Sequence, residues 1–323
     1  MKTRLLTFSV LLFFLLGFPS TQGESRDKEV SARTIGIPIL LYHRFGPVAT
    51  DSMTVTTAVF ESQLKYLSHH GYVVISLKQL VDHIRDKGHS LPSKSLVITA
   101  DDGHRSVYTD MFPLLRKYRV PATLFIYPSA VSNASYAVTW GQLKEMKESG
   151  FLDLQSHTFW HPNFKKDKVR LNPSEYEHFV EMQLKKSREK LERELDIKVD
   201  MLAWPFGLCN DELINKALEA GYAATFTMER RHAGTTDNIR SLPRYLITHS
   251  DKGAFERILT DVSRQSRVRL DRGSLPSETL KSGLFERGQP ADTAEGTALK
   301  VSGSRLIAQR CRFKFSPERP PRS

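Results

Sequence analysis

The chain has 323 residues, of which 40% are hydrophobic and 26% are charged. Without an N-terminal leader about 300 residues remain, which is enough for one large α/β domain or two small domains. The net charge of +11 is uneven, because residues 265–323 hold twelve Lys and Arg against six Asp and Glu. The overall basicity is therefore no argument for nucleic-acid binding by the rest of the chain, and we expect no nucleic-acid partner.

The N-terminus has the pattern of a secretory signal peptide. Two basic residues precede an apolar run over residues 5–18, and small residues follow at Thr21 and Gly23. This pattern predicts a signal peptide over 1–23, cleaved near Gly23 and followed by a loose segment over 24–34. The run is short for a membrane span, so we expect a periplasmic or secreted product with no stable span after cleavage. An uncleaved N-terminal anchor is the alternative.

Strand and helix patterns alternate through the middle of the chain. Apolar runs predict strands over 37–42, 73–76, 96–100, 122–127, 152–156, 201–204, 223–228 and 242–248. Helix patterns occur at 60–67, 77–84, 108–118, 140–149, 173–195, 212–220 and from 251 to about 264. This alternation predicts a parallel sheet with flanking helices, and about seven such units favour a closed or nearly closed (β/α) barrel. Beyond residue 264 the pattern ends, which predicts one domain over 35–264 and a disordered basic tail over 265–323.

The longest predicted helix has a clear start. Asn172 suits the N-cap, Pro173 the first helical position, and Glu175 lies three residues after the cap. The apolar stripe of this helix consists of Tyr176, Phe179, Val180, Leu184, Leu191 and Leu195. We interpret the stripe as core packing.

Two adjacent carboxylates end the strand over 96–100. Asp101 and Asp102 are followed by Gly103, which suits a tight turn. Neighbouring carboxylates at a buried strand end repel each other unless a cation or a proton separates their roles. An ordinary Asp-Asp-Gly turn without function is the alternative interpretation.

A second strand ends in two histidines. His157 and His161 are four residues apart, just after the strand over 152–156. A turn there can direct both imidazoles towards one centre, and with one carboxylate they form a two-His-one-Asp set with open positions for water and substrate. Chemistry in (β/α) barrels occurs at the carboxyl ends of the strands, where His43, both aspartates, both histidines and Phe206 are all expected.

Three motifs occur in the order found in one known family. Residues 99–103 (Thr-Ala-Asp-Asp-Gly), 156–162 (Ser-His-Thr-Phe-Trp-His-Pro) and 203–207 (Ala-Trp-Pro-Phe-Gly) resemble motifs of the polysaccharide deacetylases (NodB homology, carbohydrate esterase 4). The resemblance covers roughly residues 35–250. Residues 37–43 (Ile-Pro-Ile-Leu-Leu-Tyr-His) are similar to the branch that contains poly-β-1,6-N-acetylglucosamine N-deacetylases.

The resemblance implies a distorted (β/α)7–8 barrel of the NodB type and a role for each motif residue. Asp102, His157 and His161 would hold a divalent metal, with Zn²⁺ expected and Ni²⁺ or Co²⁺ as alternatives. Asp101 would be the general base and His43 the general acid. The backbone N–H at Phe206, within Trp204-Pro205-Phe206, would stabilise the oxyanion, and Trp204 is the preferred aromatic for contact with a sugar ring.

The chain departs from the family pattern at three places, of which the first, Ala100 for the usual phenylalanine before Asp101, alters packing but not metal binding. The third motif usually begins with an arginine that contacts the catalytic aspartate, and this chain has Ala203 there. Arg244 is the replacement that we predict. The family's late Leu-x-His motif is matched only loosely by residues 246–249, which makes His249 the rival general acid.

The implied function is metal-dependent removal of N-acetyl groups from N-acetylglucosamine-containing polysaccharide. Poly-β-1,6-N-acetylglucosamine, chitin-like polymers and peptidoglycan are the possible substrates. The missing arginine leaves open an inactive carbohydrate-binding protein on the same fold, and a hydrolase of another non-peptide C–N bond is a third possibility. The complete Asp-Asp-His-His set favours the enzyme, because binding alone requires neither a free carboxylate nor a metal site.

Overall fold

The computed structural model describes residues 36–86, 90–249 and 253–260. The predicted signal peptide, the loose segment over 24–34 and the basic tail over 265–323 lie outside these residues. The described residues form one domain of alternating strands and helices, as the sequence predicts. No helix within these ranges has the length and apolar character needed to cross a membrane.

A curled parallel sheet is the centre of the domain. The strands are β1 (Ile39–Tyr42), β2 (Arg44–Gly46), β3 (Thr54–Thr56), β4 (Val73–Val74), β5 (Ser95–Ala100), β6 (Ala122–Ile126), β7 (Leu152–Ser156), β8 (Met201–Ala203), β9 (Ala224–Phe226) and β10 (Tyr245–Leu246). Seven of them pair in the order β10-β1-β5-β6-β7-β8-β9, and β4 also pairs with β5. Every pairing in this sheet is parallel.

Backbone hydrogen bonds join the two ends of this sheet. The N–H of Leu242 donates to the carbonyl of Thr225 at 2.9 Å, and the N–H of Thr227 donates to the carbonyl of Leu242 at 2.8 Å. Leu242 lies just before β10, and Thr225 belongs to β9. These bonds connect β9 to the segment that precedes β10, and the curled sheet forms a half-barrel.

Strand register aligns the carboxyl ends that carry the motifs. Tyr42 pairs with Ala100, so that the residues after β1 and β5, His43 and Asp101, lie side by side. The N–H of Asp101 continues this ladder by donating to the Tyr42 carbonyl at 3.0 Å. In the same way the N–H of His157 extends the β6–β7 pairing, donating to the Ile126 carbonyl at 2.7 Å.

Eight α-helices in the described part of the chain pack around the sheet, most of them against one face and one against the other. They are α1 (Thr57–His69), α2 (Leu77–Asp86), α3 (Phe112–Tyr118), α4 (Trp140–Glu148), α5 (Phe164–Arg170), α6 (Pro173–Leu195), α7 (Asp211–Glu219) and α8 (Ala254–Thr260). The predicted start of α6 is confirmed, because Asn172 and Glu175 form a reciprocal capping box. The main core lies between the sheet and these helices, and a second cluster packs α2 against strand residues that include Val97, Phe125 and Phe226.

Three local features differ from the sequence prediction. The helix expected over 108–118 begins with a π-helical turn, Val107–Met111, before α3. Helix α5 was not predicted, because its apolar positions are few among lysines and its only buried residue is Phe164. The short β2–β3 pair was also missed, since three-residue strands show no clear alternation.

Candidate functional site

Three of the predicted residues converge at the carboxyl end of the sheet. The Oδ1 atom of Asp102 lies 3.5 Å from the Nε2 atoms of both His157 and His161. One ligand atom from each residue lies within 4.8 Å of the others, and no other group of this kind occurs in the part of the chain that the structure describes. Asp102 Oδ1 is buried and has no hydrogen-bond partner among the described atoms. This donor set fits a divalent metal such as zinc.

A backbone carbonyl orients the His157 ring. Nδ1 of His157 lies 2.8 Å from the carbonyl oxygen of Ala203, and the side chain is 2% exposed. Because a carbonyl only accepts, Nδ1 carries a proton, and Nε2, on the side of Asp102, is the atom available to a metal. Ala203 thus contributes to the site through its backbone, at the position where the family usually has an arginine.

The second histidine is in the chemical form that a metal binds. Burial lowers the pKa of His161 to about 4, and the neighbouring His157 acts in the same direction. His161 is therefore neutral at pH 7, and neutral imidazole is the ligand form. Its ring also lies in edge contact with Phe206, at a centroid distance of 4.7 Å.

Left-handed backbone conformations are concentrated at this site. Eight non-glycine residues in the described ranges have positive φ, and four of them are Asp102 (φ 73°), Thr158 (65°), His161 (61°) and Phe206 (59°). Such conformations cost about 1–3 kcal/mol each for residues with a Cβ and persist where the surroundings enforce them. The backbone is therefore locally strained at the residues that place the motif side chains in the site.

The second aspartate is held separately. Arg244 donates from Nη1 to Oδ1 and from Nη2 to Oδ2 of Asp101, both at 2.8 Å. The arginine side chain is fully buried and that of Asp101 is 2% exposed. Burial alone raises the pKa of Asp101, but the Arg244 guanidinium, with His157, outweighs it and holds the pKa below its ordinary value. Asp101 is therefore ionised, 3.9 Å from Nε2 of His157 and beside the candidate metal ligands.

Of the two candidate acids, His43 is the one that the structure brings into this cluster. Burial lowers the pKa of His43, whereas Asp102 and Asp101 raise it, and a protonated His43 in turn lowers the pKa of both aspartates. Nδ1 of His43 is buried without a hydrogen-bond partner among the described atoms. His249 is exposed, and its backbone N–H donates to the Ser52 carbonyl at 3.2 Å.

The third motif requires a correction. The Trp204 side chain is fully buried, donates from Nε1 to Thr225 Oγ1 at 2.9 Å, and packs edge-on against Phe164. The predicted contact between Trp204 and a sugar ring is therefore wrong, because no face of the indole is accessible. Pro205 is buried as well, whereas Phe206 is 52% exposed beside His161.

Sequence analysis overlooked two polar residues on the buried face of α6. Gln183 and Ser187 are fully buried on the same face as Val180, Leu184 and Leu191. Oε1 of Gln183 accepts hydrogen bonds from two backbone N–H groups in the loop that joins His157 to His161. The signal in the sequence was present, since polar residues four apart adjoin an otherwise apolar stripe.

Comparison with known proteins agrees with this geometry. The family model described as polysaccharide deacetylase matches residues 69–225. A poly-β-1,6-N-acetyl-D-glucosamine N-deacetylase of Staphylococcus epidermidis is 30% identical over 213 residues, which cover 64% of this chain and 72% of that protein. The enzyme of the same name from Staphylococcus aureus is 29% identical over 210 residues, covering 64% and 71%.

Solved structures match the fold. IcaB from Ammonifex degensii superposes with a TM-score of 0.63 at 24% identity, over 71% of this chain and 98% of that chain. The Streptococcus pyogenes deacetylase PplD gives a TM-score of 0.60 at 24% identity, over 67% and 94%. The curled parallel sheet is thus the barrel of the NodB-type deacetylases. With its three motifs at the carboxyl ends of the strands and its match to these relatives, the chain belongs to the polysaccharide deacetylase family.

Proposed function

We propose that this chain is a metal-dependent hydrolase that removes N-acetyl groups from a polysaccharide containing N-acetylglucosamine. The observation that carries the proposal is that the two adjacent aspartates have different partners. Asp102 faces His157 and His161, whereas Asp101 is held apart by Arg244. Poly-β-1,6-N-acetylglucosamine is the first substrate to test, because the relatives described above are named for it. Chitin-like polymers and peptidoglycan are the other members of this substrate class.

Asp102, His157 and His161 would hold the metal, and Zn²⁺ is the ion that we propose, with Ni²⁺ or Co²⁺ as alternatives. The buried, unpartnered Oδ1 of Asp102 and the neutral His161 support this assignment. When bound, such an ion polarises the acetamide carbonyl and acidifies a water molecule. With three ligands from the protein, the ion would keep open positions for both groups.

Asp101 is the proposed general base. It is ionised, buried and not part of the ligand triad, so it is free to accept the proton of the attacking water. Arg244 fixes the carboxylate through two parallel hydrogen bonds, which is the geometry that suits a guanidinium. This contact favours the enzyme over an inactive sugar-binding protein, since the absence of an arginine at 203 was the reason to consider the latter.

His43 is the proposed general acid. Hydrolysis breaks the C–N bond of the acetamide, and the amine that leaves must gain a proton. Burial lowers the pKa of His43, but the negative charges of Asp102 and Asp101 act in the opposite direction and favour the protonated imidazole that a general acid needs. The backbone N–H of Phe206 would stabilise the oxyanion of the tetrahedral intermediate.

Exposed aromatic side chains support a saccharide substrate. Trp160 is 46% exposed and directly precedes His161 in the sequence. Phe206 is 52% exposed, and its ring contacts the His161 ring. Aromatic faces provide large apolar contact area at a small entropic cost, and the carbon faces of pyranose rings can pack on them. These two residues replace Trp204 as the proposed contacts for sugar rings.

An acetate-release assay tests the proposal directly. Purified protein is stripped with a chelator, supplemented with Zn²⁺, Co²⁺ or Ni²⁺, and incubated with acetylated β-1,6- and β-1,4-linked glucosamine oligomers. We expect acetate release only with added metal, and faster release from the β-1,6 series. Sugar binding without acetate release under any metal would establish the carbohydrate-binding alternative instead. Release only from other acylated amines would point to a different C–N hydrolase.

We also propose that the enzyme acts outside the cytoplasm, in the periplasm or as a secreted protein. The proposal rests on the basic start and apolar run of residues 1–23 and on the polymeric nature of the proposed substrate. N-terminal sequencing of protein recovered outside the cytoplasm is expected to give a start near residue 24. An intact N-terminus at Met1 would contradict cleavage.

A further inference from the structure

Helix α6 carries a buried glutamine directly behind the loop of the two candidate metal-binding histidines. Gln183 is fully buried, and its Oε1 accepts hydrogen bonds from the backbone N–H groups of Phe159 at 3.1 Å and Trp160 at 3.0 Å. We propose that Gln183 is a positioning residue of the metal site, which holds the 157–161 loop in the conformation that brings His161 to Asp102. The inference rests on the metal site of the proposed function and deepens it.

The loop needs such support because its backbone is strained on both sides of these two amides. Thr158 and His161 have left-handed φ angles of 65° and 61°, and Phe159 and Trp160 lie between them. Non-glycine residues remain in this region only where their surroundings enforce it. Both N–H groups face the same acceptor, so one side chain restrains the two peptide units between the strained residues.

The opposite side of the loop is held as well. The carbonyl of Phe159 accepts from the Ser129 N–H at 3.1 Å, whereas the N–H groups of Phe159 and Trp160 donate to Gln183 of α6. One helical turn further along α6, Ser187 Oγ lies 2.8 Å from Ser156 Oγ at the end of β7. Helix α6 therefore contacts the start of the histidine motif through Ser187 and its middle through Gln183.

Glutamine suits this place for two reasons. Its carboxamide oxygen has two lone pairs and can serve both amides at once. An apolar residue at position 183 would leave the N–H groups of Phe159 and Trp160 without this acceptor. The loss of both hydrogen bonds would lower the stability of the protein and free the loop. Removing a partner that orients a metal ligand typically lowers metal affinity 10–100-fold.

The test compares Gln183→Met with Gln183→Glu. Methionine keeps the unbranched shape but accepts no comparable hydrogen bond, whereas a carboxyl oxygen accepts in either protonation state. Zn²⁺ affinity is measured by competition with a chromophoric chelator, and the visible spectrum of the Co²⁺ form reports ligand geometry. We expect Gln183→Met to bind Zn²⁺ at least about tenfold more weakly with an altered Co²⁺ spectrum. Gln183→Glu is expected to restore most of the affinity and the original spectrum.

Gln155→Met is the matched control. Gln155 is also a buried glutamine whose Oε1 accepts from two consecutive backbone N–H groups, those of Asp200 at 3.1 Å and Met201 at 3.0 Å. These two N–H groups belong to the start of β8 and the residue before it, not to the histidine loop. We expect this variant to lower stability in urea about as much as Gln183→Met, with unchanged Zn²⁺ affinity and Co²⁺ spectrum.

Two results would overturn the assignment alone: wild-type affinity in Gln183→Met, or an equal loss of affinity in the Gln155 control. A wild-type protein that binds no divalent metal would overturn the metal site itself and, with it, the role of Gln183. The first pair of results leaves the proposed function intact, so the two failures are distinguishable.

Discussion

Arg244 and Asp101 form a buried, bidentate ion pair. Both hydrogen bonds measure 2.8 Å, and the two side chains are 0% and 2% exposed. The guanidinium is further fixed by donating from Nε to the Thr227 carbonyl at 3.0 Å and by lying 5.3 Å from the centre of the Phe125 ring. An arginine from just before β10 thus orients the aspartate that follows β5.

Removing the arginine is expected to cost both stability and turnover. Arg244→Met leaves a buried carboxylate without its partner, and breaking such a pair costs about 3–5 kcal/mol. Urea unfolding of the metal-free protein measures this loss. Arg244→Lys keeps the positive charge but cannot form both parallel hydrogen bonds to Asp101. We therefore expect partial turnover and a smaller loss of stability.

A double variant separates the ion pair from general disruption. If the loss of unfolding free energy comes from the unpaired Asp101 carboxylate, the double variant Arg244→Met with Asp101→Asn should be more stable than Arg244→Met alone. Additive losses would mean that the arginine stabilises the barrel through its other contacts.

The two aspartates are expected to respond differently to the same substitution. Asp101→Asn should retain Zn²⁺ with near wild-type affinity and lose turnover by about 10²–10⁴-fold, because the amide cannot accept the proton of water. Asp102→Asn should lose metal affinity, because the charged ligand is removed. Metal content after dialysis and acetate release measure the two effects. Loss of metal from the Asp101 variant would mean that the two roles are reversed.

Substitution of the two candidate acids should separate them. His43→Ala is expected to lower kcat about 10²–10⁴-fold, because the amine then leaves without a positioned proton donor. His249→Ala should stay near wild type, since His249 is exposed. Rates on oligomers with a more acidic leaving amine provide a control, because they should depend less on His43. Unchanged turnover in His43→Ala would transfer the role to His249.

Trp204 and Phe206 are expected to affect different quantities. Trp204→Phe removes a buried hydrogen bond to Thr225 and leaves a void, so it should cost roughly 1–3 kcal/mol of unfolding free energy with little change in KM. Phe206→Ala removes an exposed ring beside His161 but keeps the backbone N–H, and we expect a severalfold higher KM at near-normal stability. Raised KM with unchanged stability for Trp204→Phe would contradict its assignment to the core.

Local pattern predicted much of the fold. The apolar run before Asp101 is β5, and Asn172 with Glu175 caps α6, because both signals depend on residues close in sequence. Helix α5 and the β2–β3 pair escaped prediction, since their order comes from packing and pairing with distant parts of the chain.

The sequence by itself determined that carboxylates and histidines follow the strands, and the family resemblance then predicted Asp102, His157 and His161 as metal ligands; the structure brings these three side chains together. The sequence also proposed Arg244, but only the tertiary structure decided the contact, since 143 positions separate this arginine from Asp101. The contacts of Gln183, which the sequence did not single out, and of Trp204, which it placed against a sugar ring, were also decided only by the tertiary structure. A side chain on a strand or helix can contact a loop, a sugar or the core. Which of these it contacts depends on the elements that the curled sheet brings together, and local sequence spacing does not specify them.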